Sequence, residues 1–270
     1  MPEIRSIKNP LVKQLMQLQK KSSLRKREAL FVVEGRREVY AVIRNKYRVK
    51  KVFYNLDLIE EQEIFKWMHD ALSAFEMVKI SKDVYQKLAY RNSTEGVLAL
   101  VETKNHSFKN IKLPKNPLLF VAEQIEKPGN VGAMLRTADA AGVDAFVLID
   151  SVVDLYNPNI IRSSLGTVFS NQIVTGNIDD LVGLLKRYDI KLFAATLQNS
   201  NKYFEENFSQ PTAIAVGAED RGLSSRMREI AYKSIYIPMN GQADSLNVSV
   251  SGAVLIYEVV KQRMQKIQKT

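Results

Sequence analysis

Residues 118–142 read LLFVAEQIEKPGNVGAMLRTADAAG. An unbroken apolar run, Leu118–Ala122, has the character of a strand buried on both faces of a sheet. A turn with proline and glycine follows at Pro128-Gly129, and from Val131 to Ala141 the pattern is helical until Gly142, which stands where a C′ glycine ends a helix. Asn130 is placed to cap that helix, and free amides at its start suit an anion, with the fixed charge of Arg136 further along.

The same alternation repeats downstream. Strands are expected at Ala145–Ile149, Lys191–Ala195, Thr212–Val216 and Ser234–Pro238. Helices are expected at Pro158–Leu165, Ile178–Tyr188, Ser225–Tyr232 and from Leu246 to the end. Near-continuous apolar strands joined by helices predict a five-strand parallel sheet covered on both faces, with ligands bound beyond the carboxyl ends of the strands. The loops after Ala122, Ala195, Val216 and Pro238 are therefore the ones to inspect.

Upstream, Ile4, Ile7, Leu11, Leu15 and Leu18 recur at three- and four-residue steps and predict an amphipathic helix. Short β-rich runs at Ala29–Val33, Val49–Tyr54, Glu76–Ile80 and Gly96–Val101 alternate with helical stretches at Arg36–Asn45, Glu60–Leu72 and Lys82–Leu88. That is a second, smaller α/β unit. The expected domains are 1–103, a polar linker 104–117, and 118–270.

The charge belongs to the first unit. Residues 1–50 hold 14 Lys and Arg against four Glu, while the remaining 25 basic and 25 acidic residues cancel, so the whole net charge of +10 lies there. A local positive field of this kind attracts polyanions. Arg25, Lys26, Arg27, Arg36 and Arg37 are the expected nucleic-acid contacts; a merely solvated helical face is the alternative. With no cysteine, thiolate catalysis, a disulfide framework and zinc-finger sites are excluded, and with only two histidines, His69 and His106, a metal site is not expected. Apolar runs of five residues fall far short of a membrane span, and Met1-Pro-Glu-Ile-Arg5 has no signal-peptide core. A soluble cytoplasmic protein without membrane contact is expected.

The loop after Val216 reads Gly217-Ala-Glu219-Asp-Arg-Gly222-Leu223-Ser224, with Ser224 a suitable N-cap. Gly217 would let a flat ligand lie on the backbone, and Glu219 can accept from a guanidinium or a ribose. The last loop runs Ile237-Pro238-Met239 to Ser245-Leu246-Asn247-Val248-Ser249. The helix it enters carries Leu246, Val250, Ala253, Val254, Tyr257, Val260, Met264 and Ile267 on a stripe suited to core or dimer contact. No Gly-x-Gly occurs, and Leu223 stands where a P-loop requires lysine, so dinucleotide and nucleoside triphosphate fingerprints are absent. Gly129-Asn130-Val131-Gly132 mimics a KH clamp loop, but that module does not head a parallel sheet.

Taken together, the three loops resemble the motifs of the SpoU/TrmH family of RNA ribose methyltransferases, in the SPOUT class. Asn130-x-Gly132-x-x-x-Arg136-Thr137 resembles the first motif, Gly217-Ala-Glu219-x-x-Gly222-Leu223-Ser224 the second, and Ile237-Pro238-Met239 with Ser245 to Ser249 the third. Phe31-Val-Val-Glu34-Gly35 and Glu95-Gly96-Val97-Leu98-Ala99 resemble the ribosomal-protein-like RNA-binding domain common in that family. Ser251-Gly252 departs from the small apolar residues more usual there, a change expected only to adjust helix packing.

The resemblance implies a C-terminal domain tied in a trefoil knot, a homodimer, and S-adenosylmethionine held near Leu197, Gly217, Ile237 and Leu246. It implies methyl transfer to a ribose 2′-hydroxyl, needing no metal, with Arg136 assisted by Asn130, Glu219, Ser245 and Asn247. A guanidinium with a pKa above ~12 hardly ever loses its proton, so Arg136 is expected to orient phosphate and stabilise a developing alkoxide rather than act as a base. Ribosomal RNA is the favoured substrate, with transfer RNA the alternative. A non-catalytic RNA-binding assembly factor is the competing class, against which intact Arg136, Glu219 and Asn247 argue.

Overall fold

The computed structural model describes residues 3–89 and 95–267. The first part of the chain folds as α1 (Pro10–Lys20), α2 (Ser22–Glu28), β1 (Leu30–Glu34), α3 (Arg36–Arg44), β2 (Val49–Tyr54), α4 (Glu61–Met68), β3 (Glu76–Lys79), α5 (Lys82–Leu88) and β4 (Val97–Glu102). Its sheet has the order β1-β4-β2-β3, with β4 antiparallel to both neighbours and β2 parallel to β3. Val12, Leu15 and Leu18 of α1 pack with Phe53, Val84 and Leu98 into one core.

The first helix starts later than its periodicity predicts. Pro10 occupies the first turn, and the Asn9 side chain accepts a 2.9 Å hydrogen bond from the Leu11 N–H. Ile4 is extended instead, bridged in parallel to Ile80. The four-residue apolar step from Ile7 to Leu11, across a capping asparagine and a proline, is coincidence.

The second part runs β5 (Leu118–Glu123), α6 (Pro128–Ala141), β6 (Ala145–Ile149), α7 (Pro158–Ser163), β7 (Ile173–Gly176), α8 (Ile178–Arg187), β8 (Lys191–Ala195), β9 (Asn201–Lys202), β10 (Thr212–Val216), α9 (Ser225–Glu229), β11 (Lys233–Tyr236) and α10 (Val248–Ile267). Its sheet has seven strands in the order β7-β6-β5-β10-β8-β11-β9, every pairing parallel. Five strands were expected; the two additional ones, β7 and β9, are the edges. They are short and partly or wholly exposed, so neither shows the apolar run that betrays a central strand. Gly142 ends α6 in the left-handed region at φ 67°.

The final helix begins at Val248, so Leu246 precedes it. Its buried line is Val248, Leu255, Ile256 and Val259. The expected stripe lies largely on the other face, where Val250, Tyr257 and Met264 are exposed; the side chain of Ile267 and residues 268–270 fall outside the described residues. α10 packs on α6 and β10, and there Gly252 meets Phe120: a Cβ at Gly252 would come within 2.3 Å of the Phe120 ring. The departure at Ser251-Gly252 therefore fits a fully buried phenylalanine.

The contacts divide the chain into two compact units, Met1–Asn105 with Asp154–Ser170, and His106–Val153 with Asn171–Thr270. The segment between β6 and β7, expected in the C-terminal domain, thus folds with the first unit. Tyr156 stacks on Phe31 at 4.1 Å between centroids, Phe169 lies 5.2 Å from Tyr47, and Asp154 pairs with Arg25. These partners are distant in sequence, so no local pattern announces them. The expected linker is divided as well: Lys104 N–H donates to the Tyr156 hydroxyl at 2.8 Å, whereas the His106 carbonyl accepts from Thr175 N–H at 2.8 Å. Among the described residues no helix is long and apolar enough to cross a membrane.

Candidate active site

Because every strand of the large sheet is parallel, the loops leaving β5, β8, β10 and β11 emerge at one rim, and those four strands are consecutive neighbours in the order β5-β10-β8-β11. The loop after β5 and the loop after β10 are tied together by side chains. Glu123, buried at the end of β5, accepts from the Ser224 N–H at 2.8 Å and from its hydroxyl at 2.6 Å. Ser224 in turn accepts from the Met227 N–H and caps α9 as expected. Arg221 pairs with Glu126 at 2.9 Å.

Glu123 is not among the residues expected at the site. A carboxylate closing an apolar strand, LLFVAE, was the available signal: burial of a charge demands compensating hydrogen bonds, and Ser224 provides them.

The rim converges on Glu219. Its Oε1 accepts from Asn130 Nδ2 at 2.8 Å and from Asn247 Nδ2 at 2.9 Å, and Lys127 Nζ donates to its Oε2. Asn247 Nδ2 also lies 3.3 Å from Asn130 Oδ1. The first, second and third loops therefore meet at one carboxylate. Lys127, and then Asn130, hold that carboxyl below the usual carboxylate range. Ionised and already accepting from three donors, Glu219 is suited to orient its neighbours rather than to take a proton near neutral pH.

Asn130 does not cap α6. The helix starts at Pro128, with Lys127 at the capping position and no side-chain cap. Proline lacks an N–H and has its φ preset, so it opens the helix three residues early and places Asn130 inside the first turn. Its amide turns to Glu219 instead. Asn247 both caps and binds: its Oδ1 accepts from the Ser249 N–H at 3.0 Å and hydroxyl at 2.6 Å, leaving Nδ2 for Glu219.

Gly217 also serves the fold of its own loop. A Cβ there would lie 2.2 Å from the Gly222 carbonyl carbon, so the missing side chain admits the protein's own loop, closed by the Gly222 N–H to the Ala218 carbonyl at 2.8 Å. Beside Glu219 a small cleft of about 160 Å³ is lined by Gln124, Lys127, Asn130 and Asp220 among others.

Arg136 and Ser245 are exposed and outside this network. Among the described residues, no hydrogen bond or ion pair holds Arg136, which leaves its guanidinium available. Leu197 is 71% exposed after β8 and Leu246 is 36% exposed before α10, while Ile237 is half-buried after β11. Aliphatic side chains left in water at the ends of neighbouring strands, together with backbone at Gly217, can cover a flat aromatic group. No group of three or more His, Asp or Glu is placed to hold a metal among the described residues.

In the first unit, Lys26 and Arg27 are exposed, but Arg25 is withdrawn. Its guanidinium is 3% exposed, donates to Asp154 at 2.7 Å and to the Leu18 and Gln19 carbonyls, and is spent on holding α1 and α2 to the 154–170 segment. Arg36 is half-buried and donates to the Glu95 and Leu58 carbonyls and to Glu63, whereas Arg37 is exposed beside Glu38.

The profile of the SpoU rRNA Methylase family matches residues 117–257, and that of the MRM3-like substrate binding domain matches residues 9–99. The chain is 30% identical over 259 residues to the 23S rRNA (guanosine(2553)-2'-O)-methyltransferase RlmP of Bacillus subtilis, covering 96% of this chain and 99% of that one. It is similar to a crystal structure of an RNA 2'-O ribose methyltransferase, at 34% identity and a TM-score of 0.82, over 97% of this chain and all of the other. The SpoU methyltransferase AviRb of Streptomyces viridochromogenes, in complex with the cofactor AdoMet, superposes with a TM-score of 0.86 at 25% identity, over 95% of this chain and 99% of its own.

Proposed function

Since the chain belongs to the SpoU rRNA Methylase family, we propose that it transfers a methyl group from S-adenosylmethionine to a ribose 2′-hydroxyl of ribosomal RNA. The observation that carries this is the meeting of Asn130, Glu219 and Asn247, one from each motif loop, at a single carboxylate on the ligand-binding rim.

When bound, S-adenosylmethionine supplies a methyl carbon made electrophilic by its sulfonium, so the new O–C bond forms as the S–C bond breaks. Leu197 after β8, Gly217 after β10, Ile237 after β11 and Leu246 before α10 would hold it. Glu219 locks the amides of Asn130 and Asn247, which fixes where the ribose sits. Arg136, exposed and held by no described residue, orients the adjoining phosphate and stabilises charge as the proton of the hydroxyl passes to solvent water. Ser245, exposed on the third loop, offers a further hydroxyl to the ribose.

The first unit recruits the RNA, with Lys26, Arg27 and Arg37 among its exposed cations. A second copy of the chain covers the exposed face of α10 at Val250, Tyr257 and Met264, and the chain threads a trefoil knot near the third loop. The protein works in the cytoplasm, where its substrate is made. Two experiments test the proposal: calorimetry with S-adenosylmethionine, and mapping of ribose methylation in total RNA with and without the gene. Failure to bind the donor, or an unchanged methylation map, overturns it.

A further inference from the structure

The first unit carries a groove of about 700 Å³ that methyl transfer does not use. Its floor is apolar and buried, made by Val32 of β1, Leu88 of α5 and Ile161 of α7. Its rim is cationic: Lys20 ends α1, Arg37 lies in the first turn of α3, Lys87 is in the last turn of α5, and Arg162 is on α7, all exposed. The lining also includes Glu34, Glu38 and Glu95. α3 opens into the groove with Gly35 at its capping position and no side-chain cap.

The volume is in the range of small-ligand sites, roughly 300–1,000 Å³. An apolar floor under a ring of Lys and Arg suits a flat molecule with an anionic tail, its face on aliphatic side chains and its phosphates at the rim. The carboxylates offer acceptors to exocyclic amines of a base. A base-paired helix would present phosphates but no base to fill the floor, whereas an unpaired nucleotide presents both. One wall, Asn157–Arg162, comes from the part of the sequence matched by the methylase profile, while the others come from the part matched as a substrate-binding domain.

We propose that this composite groove seats one unpaired nucleotide of the RNA substrate, its base on Val32, Leu88 and Ile161 and its phosphates on Lys20, Lys87 and Arg162. The proposal rests on RNA being the substrate, and not on the methyl-transfer chemistry. In filter binding of a 23S rRNA transcript over a salt series, the triple variant Lys20→Ala, Lys87→Ala and Arg162→Ala should bind at least about tenfold more weakly. The slope of log affinity against log salt should become shallower by about two. Its thermal midpoint and its affinity for S-adenosylmethionine should match the wild type.

Removing charge from α8 instead, with Lys186→Ala and Arg187→Ala, should leave RNA affinity nearly unchanged. A short unstructured oligonucleotide should compete with the transcript for the wild type better than a blunt duplex of equal length. The groove is overturned by a folded triple variant that keeps wild-type RNA affinity, by a control that loses as much, or by equal competition from the duplex. Wild-type protein that binds the transcript through this groove yet takes up no S-adenosylmethionine would instead overturn methyl transfer alone.

Discussion

Asn130 and Glu219 are 89 residues apart in the chain, yet the amide of one donates to the carboxylate of the other at 2.8 Å. The bond joins the loop after β5 to the loop after β10, and Asn247 adds the third loop at 2.9 Å. Replacing Glu219 by Gln keeps the size but removes the charge that Lys127 pairs with, and it sets an NH2 group against a donor whichever way the amide turns, Lys127 on one side or the two asparagine amides on the other. A hydrogen bond to a charged group is worth about 1.5–3 kcal/mol, so methyl transfer should fall about 10–100-fold in a single-turnover assay.

The same carboxylate predicts a pH dependence of stability. Its folded-state pKa is depressed by Lys127 and Asn130, so its contribution is complete above the unfolded pKa and is lost as pH falls through the folded one. The difference in thermal midpoint between the wild type and Glu219→Gln should be constant from neutral pH down to the ordinary carboxylate range and shrink below it. A difference that grew on acidification would contradict this placement of the charge.

Arg136 is exposed and held by no described residue, so its loss should leave the fold and the donor site alone. Arg136→Ala should bind S-adenosylmethionine with unchanged affinity in calorimetry while losing methyl transfer by at least about a hundredfold, the scale expected when a preorganised donor to developing charge is removed. Undiminished turnover would remove Arg136 from the mechanism.

Arg25 and Lys26 are neighbours with opposite fates. Arg25 is buried against Asp154, and breaking a buried pair from one side costs about 3–5 kcal/mol. Arg25→Ala should therefore lower the denaturation midpoint strongly. Lys26→Ala together with Arg27→Ala should leave the midpoint in place and weaken RNA binding. Replacing both members of the pair, Arg25→Met with Asp154→Leu, should recover much of the lost stability.

Gly252→Ala would put a methyl group 2.3 Å from the Phe120 ring, which is fully buried and packed edge-on to Phe146 at 5.4 Å. Overpacking of this kind costs about 1–3 kcal/mol. Adding Phe120→Leu should restore part of the loss, because the two sites share one contact. Additive destabilisation in chemical unfolding would show that the strain lies elsewhere.

Much of the site was legible because its chemistry is carried by side chains at short range from strand ends. Gly217, Glu219 and Ser224 follow one apolar run; Asn130 and Arg136 follow another. The roles were less legible than the positions. Asn130 read as a cap because the cap signal is local, while its actual partner, Glu219, is reached only when two strands lie side by side. Glu123 was missed for the same reason: its burial depends on Ser224, a hundred residues away.

The chain's own order of residues determined the parallel α/β sheet, its ligand-binding rim, the loops that serve it and the basic character of the first unit, because hydrophobic period, turn chemistry and charge are properties of neighbours in sequence. Tertiary structure alone decided which unit owns residues 154–170, that Arg25 is a buried clamp while Lys26 meets solvent, that Gly252 exists for Phe120, and that a groove opens between α1, α3, α5 and α7. Each of these is a contact between segments far apart along the chain. Burial and pairing across such distances depend on where the folded backbone carries the partners, which no local pattern records.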